Sequence, residues 1–200
     1  MVGEDWEQRA RQLRCGADFW SLRVVDERSE AHEVRNDIPQ PLRTECGRGA
    51  MLTAWVCAGA GYAATGNLSM AGVQAALDLA TARARANAAV SLIDHRLIAR
   101  PTKSGSYVSP NAHRALPNRR KLLDRLALEC VGMRIDERIV ERTASLHLTQ
   151  VDQLYLSSDG VKIDQHFRFL LPGLAAVAHA DGDTQVRTLG RDGTLAQGGI

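Results

Sequence analysis

Between Gly47 and Leu79 the chain changes its hydrophobic period, and that change restricts it to a mixed α+β fold. The stretch GRGAMLTAWVCAGAGYAATG predicts a strand ending near Ala58, a Gly-rich turn, and a short second strand through Tyr62 and Ala64. Ser69 then supplies an N-cap oxygen for an unpaired N–H of a helix's first turn. Behind it Val73, Ala76, Leu77 and Ala80 recur at i, i+3, i+4 and i+7, an apolar stripe that must face a core. Arg83 and Arg85 fall near the helix's negative end.

The glycines of this segment invite a nucleotide reading. Gly59-Ala60-Gly61-Tyr62-Ala63-Ala64 fits GxGxxA, a form of the dinucleotide fingerprint. That chemistry needs a helix to begin at the glycines, so that its amides meet a pyrophosphate. Here the cap comes only at Ser69, and Asp78 lies inside the helix rather than at the end of a following strand. A β-hairpin turn accounts for the glycines better.

The flanking chain continues the alternation of elements. Residues Asp5 to Cys15 predict a short helix closed by Gly16. A strand follows through Trp20, Leu22 and Val24, then a second through His32 and Val34, broken at Asn36-Asp37 and by Pro39 and Pro41. Residues Arg100 to Pro117 are polar with three prolines and predict a loop. Leu123, Leu126, Ala127 and Cys130 then repeat the helical stripe up to Gly132. The first turn of that helix carries Arg119, Arg120 and Lys121, cations where the dipole favours anions.

The last third is β-rich. Ile139 to Val151 alternates, with Val140, Ala144, Leu146 and Leu148 on one predicted face. The turn Ser157-Ser158-Asp159-Gly160 between alternating strands predicts a hairpin. Val161, Ile163, Phe167 and Phe169 mark a buried face, and Pro172-Gly173 predicts an interruption before Ala175 to Ala180. The expected fold class is therefore α+β: an antiparallel β-meander flanked by helices, followed by a β-rich second region. The expected organisation is an N-terminal α+β domain over 1–100, a linker loop and helix over 101–134, and a β-rich region over 135–200.

Charge and cysteine use narrow the function. The net charge of +2 over 200 residues gives no strong attraction to nucleic acid or to an anionic membrane. A basic contact through Arg114, Arg119, Arg120 and Lys121 is the weaker alternative, and a solvated charge run the simpler account. No apolar run approaches the roughly 20 residues of a spanning helix, and no signal peptide is visible. Cys15, Cys46, Cys57 and Cys130 form no CxxC pair, so reduced thiols and a cytoplasmic location are expected. A Cys46–Cys57 disulfide across the hairpin is the lesser alternative. Cys57, placed in an apolar strand, is expected to be inert.

Candidate ligands are few. His32-Glu33 opens like a helical zinc motif, but HEVRNDI has no second imidazole. His147 and His166 lie on alternating strands, and Asp164 shares a face with His166, so a metal or acid–base cluster is weighed against plain cross-strand polar residues. His95, His113 and His179 have no visible partner, and no GxSxG elbow appears. No catalytic, cofactor-binding or metal-binding residue is assigned.

The run from Val34 to Ala84 resembles the N-terminal domain of the TldD/PmbA family of metallopeptidase-like proteins. The resemblance rests on Val34-Arg35-Asn36, Arg48-Gly49, Gly61-Tyr62-Ala63-Ala64-Thr65 and Leu68-Ser69, in that order. It departs at Asp37, where the family commonly has Gly. The block from Gln153 to Gly190 is similar to the family's middle section. This resemblance implies part of a zinc metallopeptidase, a hydrolase acting on peptides or unfolded small proteins. In the family's catalytic branch an HExxxH helix and a later Cys bind zinc; this sequence contains no HExxxH, so no ligand carries over and no cofactor is expected in this chain. The expectation is a truncated, inactive N-terminal portion whose partners, at full length, would be a peptide and a homologous subunit in a dimer. The alternative is a non-catalytic interaction subunit pairing with a catalytic family member.

Overall fold

The structure is a computed structural model that describes residues 6–110, 112, 117–190 and 196–197. Its elements are α1 (Trp6–Gln12), β1 (Phe19–Arg35), β2 (Ile38–Pro39), β3 (Arg43–Val56), β4 (Gly59–Thr65), α2 (Met70–Asn87), a 3-10 turn (His95–Leu97), β5 (Gly105–Val108), α3 (Arg119–Gly132), β6 (Ile139–Ser157), β7 (Lys162–Ala180), β8 (Asp183–Gly190) and β9 (Ala196–Gln197). The class is α+β, with an antiparallel sheet flanked by helices. Its strands are ordered β4-β3-β1-β6-β7-β5, with β2 on β1 and with β8 and β9 on β7. By contacts the chain forms two compact units, and each draws on all three sequence regions. The first takes Met1–Glu27, Gly47–Tyr107 and Val151–His166; the second takes Arg28–Cys46, Val108–Gln150 and Phe167–Ile200.

In the first unit the core lies between α1, α2 and the sheet. Leu22, Val24, Leu52, Leu77 and Ala80 are fully buried there, with Leu154 and Leu156 beside them. Ser69 caps α2 as expected, its Oγ accepting from Gly72 N at 3.1 Å. Helix α1 stops at Gln12 rather than reaching Cys15. Its continuation is replaced by Gln74 of α2, whose side chain bonds both the N–H and the carbonyl of Arg14, at 3.0 and 2.7 Å.

Helix α2 lies directly on β4, and this explains the glycines. A Cβ at Gly61 would stand 2.5 Å from Ala84 N and 2.7 Å from Arg83 Cβ, with the Ala80 carbonyl oxygen nearer still. A Cβ at Gly59 would meet Ala88 N at 2.5 Å. Both glycines sit in the β3–β4 ladder, Gly61 opposite Ala54 and Gly59 opposite Val56. They are close-approach glycines inside a strand. Along β4, Arg83 Nη1 donates to Tyr62 O at 2.7 Å and Asn87 Nδ2 to Ala60 O at 2.9 Å.

In the second unit Val34, Cys130 and Ala144 are fully buried, with Leu123, Leu126 and Ala127 of α3 packed on them. Asn118 caps α3, its Oδ1 accepting from Lys121 N at 3.0 Å. Val140 is exposed, unlike the face predicted for it, because it lies at the outer end of β6.

Two strands run longer than the sequence suggests. β1 is one strand of 17 residues, without the break between Val25 and His32. β7 continues through Pro172-Gly173; Pro172 lies between the residues paired with β9, ending at Leu170, and those paired with β8, beginning at Gly173. A proline without an N–H is tolerated at such a gap. The predicted loop over 100–117 contains β5, and β8 follows a second Asp-Gly turn at Asp181-Gly182, where φ is +53° and +81°.

Candidate functional site

The residues singled out for chemistry resolve into separate local clusters. In the first unit, the Ser157–Gly160 turn closes with Ser157 N donating to Val161 O at 3.0 Å. Counting outward from that pair sets Asp152 opposite His166 and Gln153 opposite Gln165. Both pairs are bonded: His166 Nδ1 lies 2.7 Å from Asp152 Oδ1, and Gln153 Nε2 donates to Gln165 Oε1 at 2.6 Å. Asp164, the predicted face-mate, reaches the other ring nitrogen of His166 at 3.5 Å. Burial pushes the Asp152 carboxyl up, but the His166 hydrogen bond and charge help bring it below its ordinary value.

This cluster does not fit a zinc ion. The carboxylates stand on opposite nitrogens of one imidazole, whereas zinc needs ligand atoms converging at about 2.0–2.2 Å. Among the described residues no group of three His, Cys, Asp or Glu is placed to hold a metal ion. The zinc that the family resemblance implies for a catalytic member therefore finds no fitting donor set in them.

The remaining histidines serve local structure. His95 Nδ1 contacts Ala58 O at 2.8 Å and its ring packs near Trp55. Arg100 lies over Phe19 and Trp55, so this side of the loop is held against the sheet by cation–π contacts. Asp94, hydrogen-bonded by the Arg96 side chain and N–H, has its carboxyl lowered to about 2. His179 Nδ1 meets Thr184 Oγ1 at 2.8 Å across the β7–β8 turn. His147 is exposed on β6. His113 and Arg114 lie outside the described residues. Asp78 bonds Gln74 on the exposed side of α2, far from any phosphate-binding role.

The cysteines are free. Cys57 is exposed at the β3–β4 turn with φ of +50°, which corrects its placement in an apolar strand. Asp18 Oδ2 accepts its N–H at 2.7 Å, fixing that turn. Cys46 lies exposed on β3, and Cys130 is buried against Arg142 O.

Two buried ionisable groups of the second unit carry more weight than the sequence showed. The Asn36-Asp37 turn has both residues at positive φ, +46° and +67°. Asn36 brackets Arg142 of β6, donating N–H to its carbonyl at 2.8 Å and accepting its N–H at 2.9 Å. Arg142, 7% exposed, reaches Asp37 Oδ2 at 3.3 Å, and Arg134 pairs with the same oxygen. Asp37 thus replaces the expected Gly with a left-handed residue that neutralises a buried guanidinium.

His32, only 4% exposed on β1, is the second. Its Nε2 lies 3.3 Å from Glu30 Oε2, and its Nδ1 has no hydrogen-bond partner. It borders a cavity of about 110 Å³ at the N-terminus of α3, walled by Leu122, Leu146, Leu148 and Leu170, with Glu30 and Arg119 at its polar side. HEVRNDI showed the imidazole but not this cavity, which depends on strand pairing.

Compared with known proteins, no family model and no curated protein matches the sequence. Solved structures do match. A proposed modulator of DNA gyrase from Bacteroides thetaiotaomicron aligns with a TM-score of 0.67 at 15% identity, covering 90% of this chain and 41% of that one. TldE from Thermococcus kodakarensis aligns at 0.56 and 14% identity, over 92% and 41% of the two chains. A proposed modulator of a DNA gyrase from Thermotoga maritima aligns at 0.58 and 13% identity, over 90% and 40%. What is shared is the fold. The chain spans about two-fifths of the length of these structures.

Proposed function

We propose that this chain is the N-terminal and middle scaffold of a TldD/PmbA-type protein, a family of metallopeptidase character acting on peptides or unfolded small proteins. The observation that carries the reading is the likeness over 90% or more of the chain to structures that include TldE. The residues of the family resemblance also fall at positions where the fold needs them. Asn36 brackets β6, Gly61 lies under α2, and Leu68-Ser69 opens that helix. In this reading they are structural residues, and the chain presents sheet and helix surface without a hydrolytic centre of its own.

The test is direct. The purified 200-residue chain is dialysed against zinc, its metal content measured, and its activity assayed on an unfolded protein and on short peptides. We expect no stoichiometric zinc and no cleavage. One zinc per chain together with peptide hydrolysis refutes the scaffold role. Mixing with a catalytic family member in sedimentation experiments then separates two versions: a stable mixed complex favours a partner subunit, and none favours a region of a larger chain.

A further inference from the structure

Strand β8 is an edge of the sheet in the second unit: among the described residues it pairs with β7 alone, and every residue from Asp183 to Leu189 is exposed. Its hairpin register fixes which backbone groups face outward. His179, opposite Thr184, sends its N–H away from β8 to the Arg138 carbonyl at 2.8 Å. A residue so oriented belongs to a non-hydrogen-bonded pair, so the N–H and carbonyl of Thr184 also point away from β7. The alternation of the ladder repeats this at Val186 and Thr188. Two of these outward groups are met by side chains of their own strand. Asp183 Oδ1 accepts from Thr184 N, and Arg187 Nη1 donates to Val186 O, both at 2.9 Å.

We propose that β8 pairs antiparallel with the β8 of a second copy of this chain, about a two-fold axis at Gln185. In that register Thr184 and Val186 of one copy exchange backbone hydrogen bonds with Val186 and Thr184 of the other, and Asp183 stands opposite Arg187 at both ends. Charge singles this register out. An axis at Val186 sets Asp183 against Leu189 and Arg187 against Gln185, and an axis at Arg187 sets the two guanidiniums against each other. With the axis at Thr184, Arg187 falls beyond the strand, against the turn. The side chains that cover the edge in the single chain become its cross-strand ion pairs. As the partner's backbone takes over Thr184 N and Val186 O, the carboxylate and the guanidinium are released toward the opposite charge facing them. At β4, by contrast, the covering side chains belong to a packed helix. The overlap, residues 183–187, is short and its ion pairs are exposed, so the complex is weak and reversible, as small transient interfaces are. The contact is isologous and closes at two chains. It rests on β8 alone and does not depend on the family reading.

The test uses the full chain in sedimentation runs from micromolar to millimolar concentration, with amide exchange followed by NMR. We expect a monomer–dimer equilibrium in which the Thr184 and Val186 amides gain protection as concentration rises, while the Gln185 amide, which faces β7, does not change. Asp183→Arg and Arg187→Asp each set like charges opposite one another twice in the symmetric pair, and each should weaken self-association at least about tenfold. Mixed together, the two variants restore both ion pairs and should form a one-to-one complex close to the parent's affinity. Spectra matching the parent's verify that each variant is folded. A chain that stays monomeric at millimolar concentration overturns the proposal, as does a dimer whose Thr184 and Val186 amides exchange as fast as in the monomer. Charge variants that fail to associate when mixed overturn it too. Protection of those amides only when an unfolded protein is added, with the chain itself monomeric, assigns the edge to an extended peptide and likewise overturns it. None of these readouts involves zinc or cleavage, so they succeed or fail apart from the scaffold role.

Discussion

Replacing Gly61 by Ala tests whether the glycines of β4 exist to admit α2. The added Cβ would stand 2.5 Å from Ala84 N and 2.7 Å from Arg83 Cβ, where ordinary contact begins at 3.4 Å. With the Ala80 carbonyl oxygen nearer still, helix and strand must part by about 1.1 Å at this point, or β4 must tilt out of its ladder with β3. Overpacking of a well-filled core typically costs ~1–3 kcal/mol. The opposing atoms here include backbone of an 18-residue helix whose face buries Val73, Leu77 and Ala80, so they cannot turn aside as a side chain can. We expect a loss in the upper half of that range, about 2–3 kcal/mol. With a urea slope of ~1–3 kcal/mol/M, the unfolding midpoint should fall by roughly 1 M or more. Gly47→Ala is the control: nothing lies within 4 Å of its added Cβ, and its stability should stay within about 0.5 kcal/mol of the parent. Because the closest atoms at Gly61 are main-chain, trimming a side chain on α2 should not rescue the variant. Equal midpoints for Gly61→Ala and the parent, at unchanged slope, would refute the close-approach argument.

Three further outcomes follow from the structure. Ser69→Ala removes the acceptor for Gly72 N and should cost about 1 kcal/mol in chemical unfolding, with Ser69→Asp restoring most of it. Asp37→Gly relaxes a left-handed residue but strips the buried Arg142 of its carboxylate; we expect net destabilisation of about 2 kcal/mol or more, and Asp37→Gly combined with Arg142→Met should recover part of it in a double-mutant cycle. The Asp152 carboxyl is depressed in the folded chain, so its contribution is present above its unfolded value of about 4 and is lost as pH falls through the folded value. Asp152→Asn should therefore lower the melting temperature at pH 6 and have little effect near pH 2; an equal effect at both would remove the pair from the account.

Local signals specify structure where they are self-contained. Ser69 and the stripe behind it specify α2 without reference to the rest of the chain, and Asp159-Gly160 specifies its turn in the same way. Asp181-Gly182 carries the same signal and turns β7 into β8, a hairpin the expected interruption at Pro172-Gly173 does not include. The long strands were harder because their length is set by neighbours. The polar run from Asp26 to Ala31 reads as a break, yet β1 has β3 and β6 as neighbours in the sheet, and backbone pairing does not require apolar side chains. Pro172-Gly173 predicts an interruption because the gap that accommodates the proline belongs to the partner strands. The same dependence hid Asp152: nothing within its own strand marks it, although counting from the Ser157–Gly160 turn places it opposite His166. The cavity at His32 draws residues from β1, β6, β7 and α3, and no local pattern encodes such a meeting.

The two side chains that α2 lays along β4 have a bearing on the company this protein keeps. An edge strand with bare carbonyls invites any extended chain to join the sheet, including an unfolded neighbour of its own sequence. Arg83 and Asn87 already occupy the Tyr62 and Ala60 carbonyls. An incoming strand must first evict both, and in doing so loosen the helix that carries them. If an extended peptide is recruited by strand addition, it must dock elsewhere on the sheet. At β4 the sheet is closed by its own helix against an added strand.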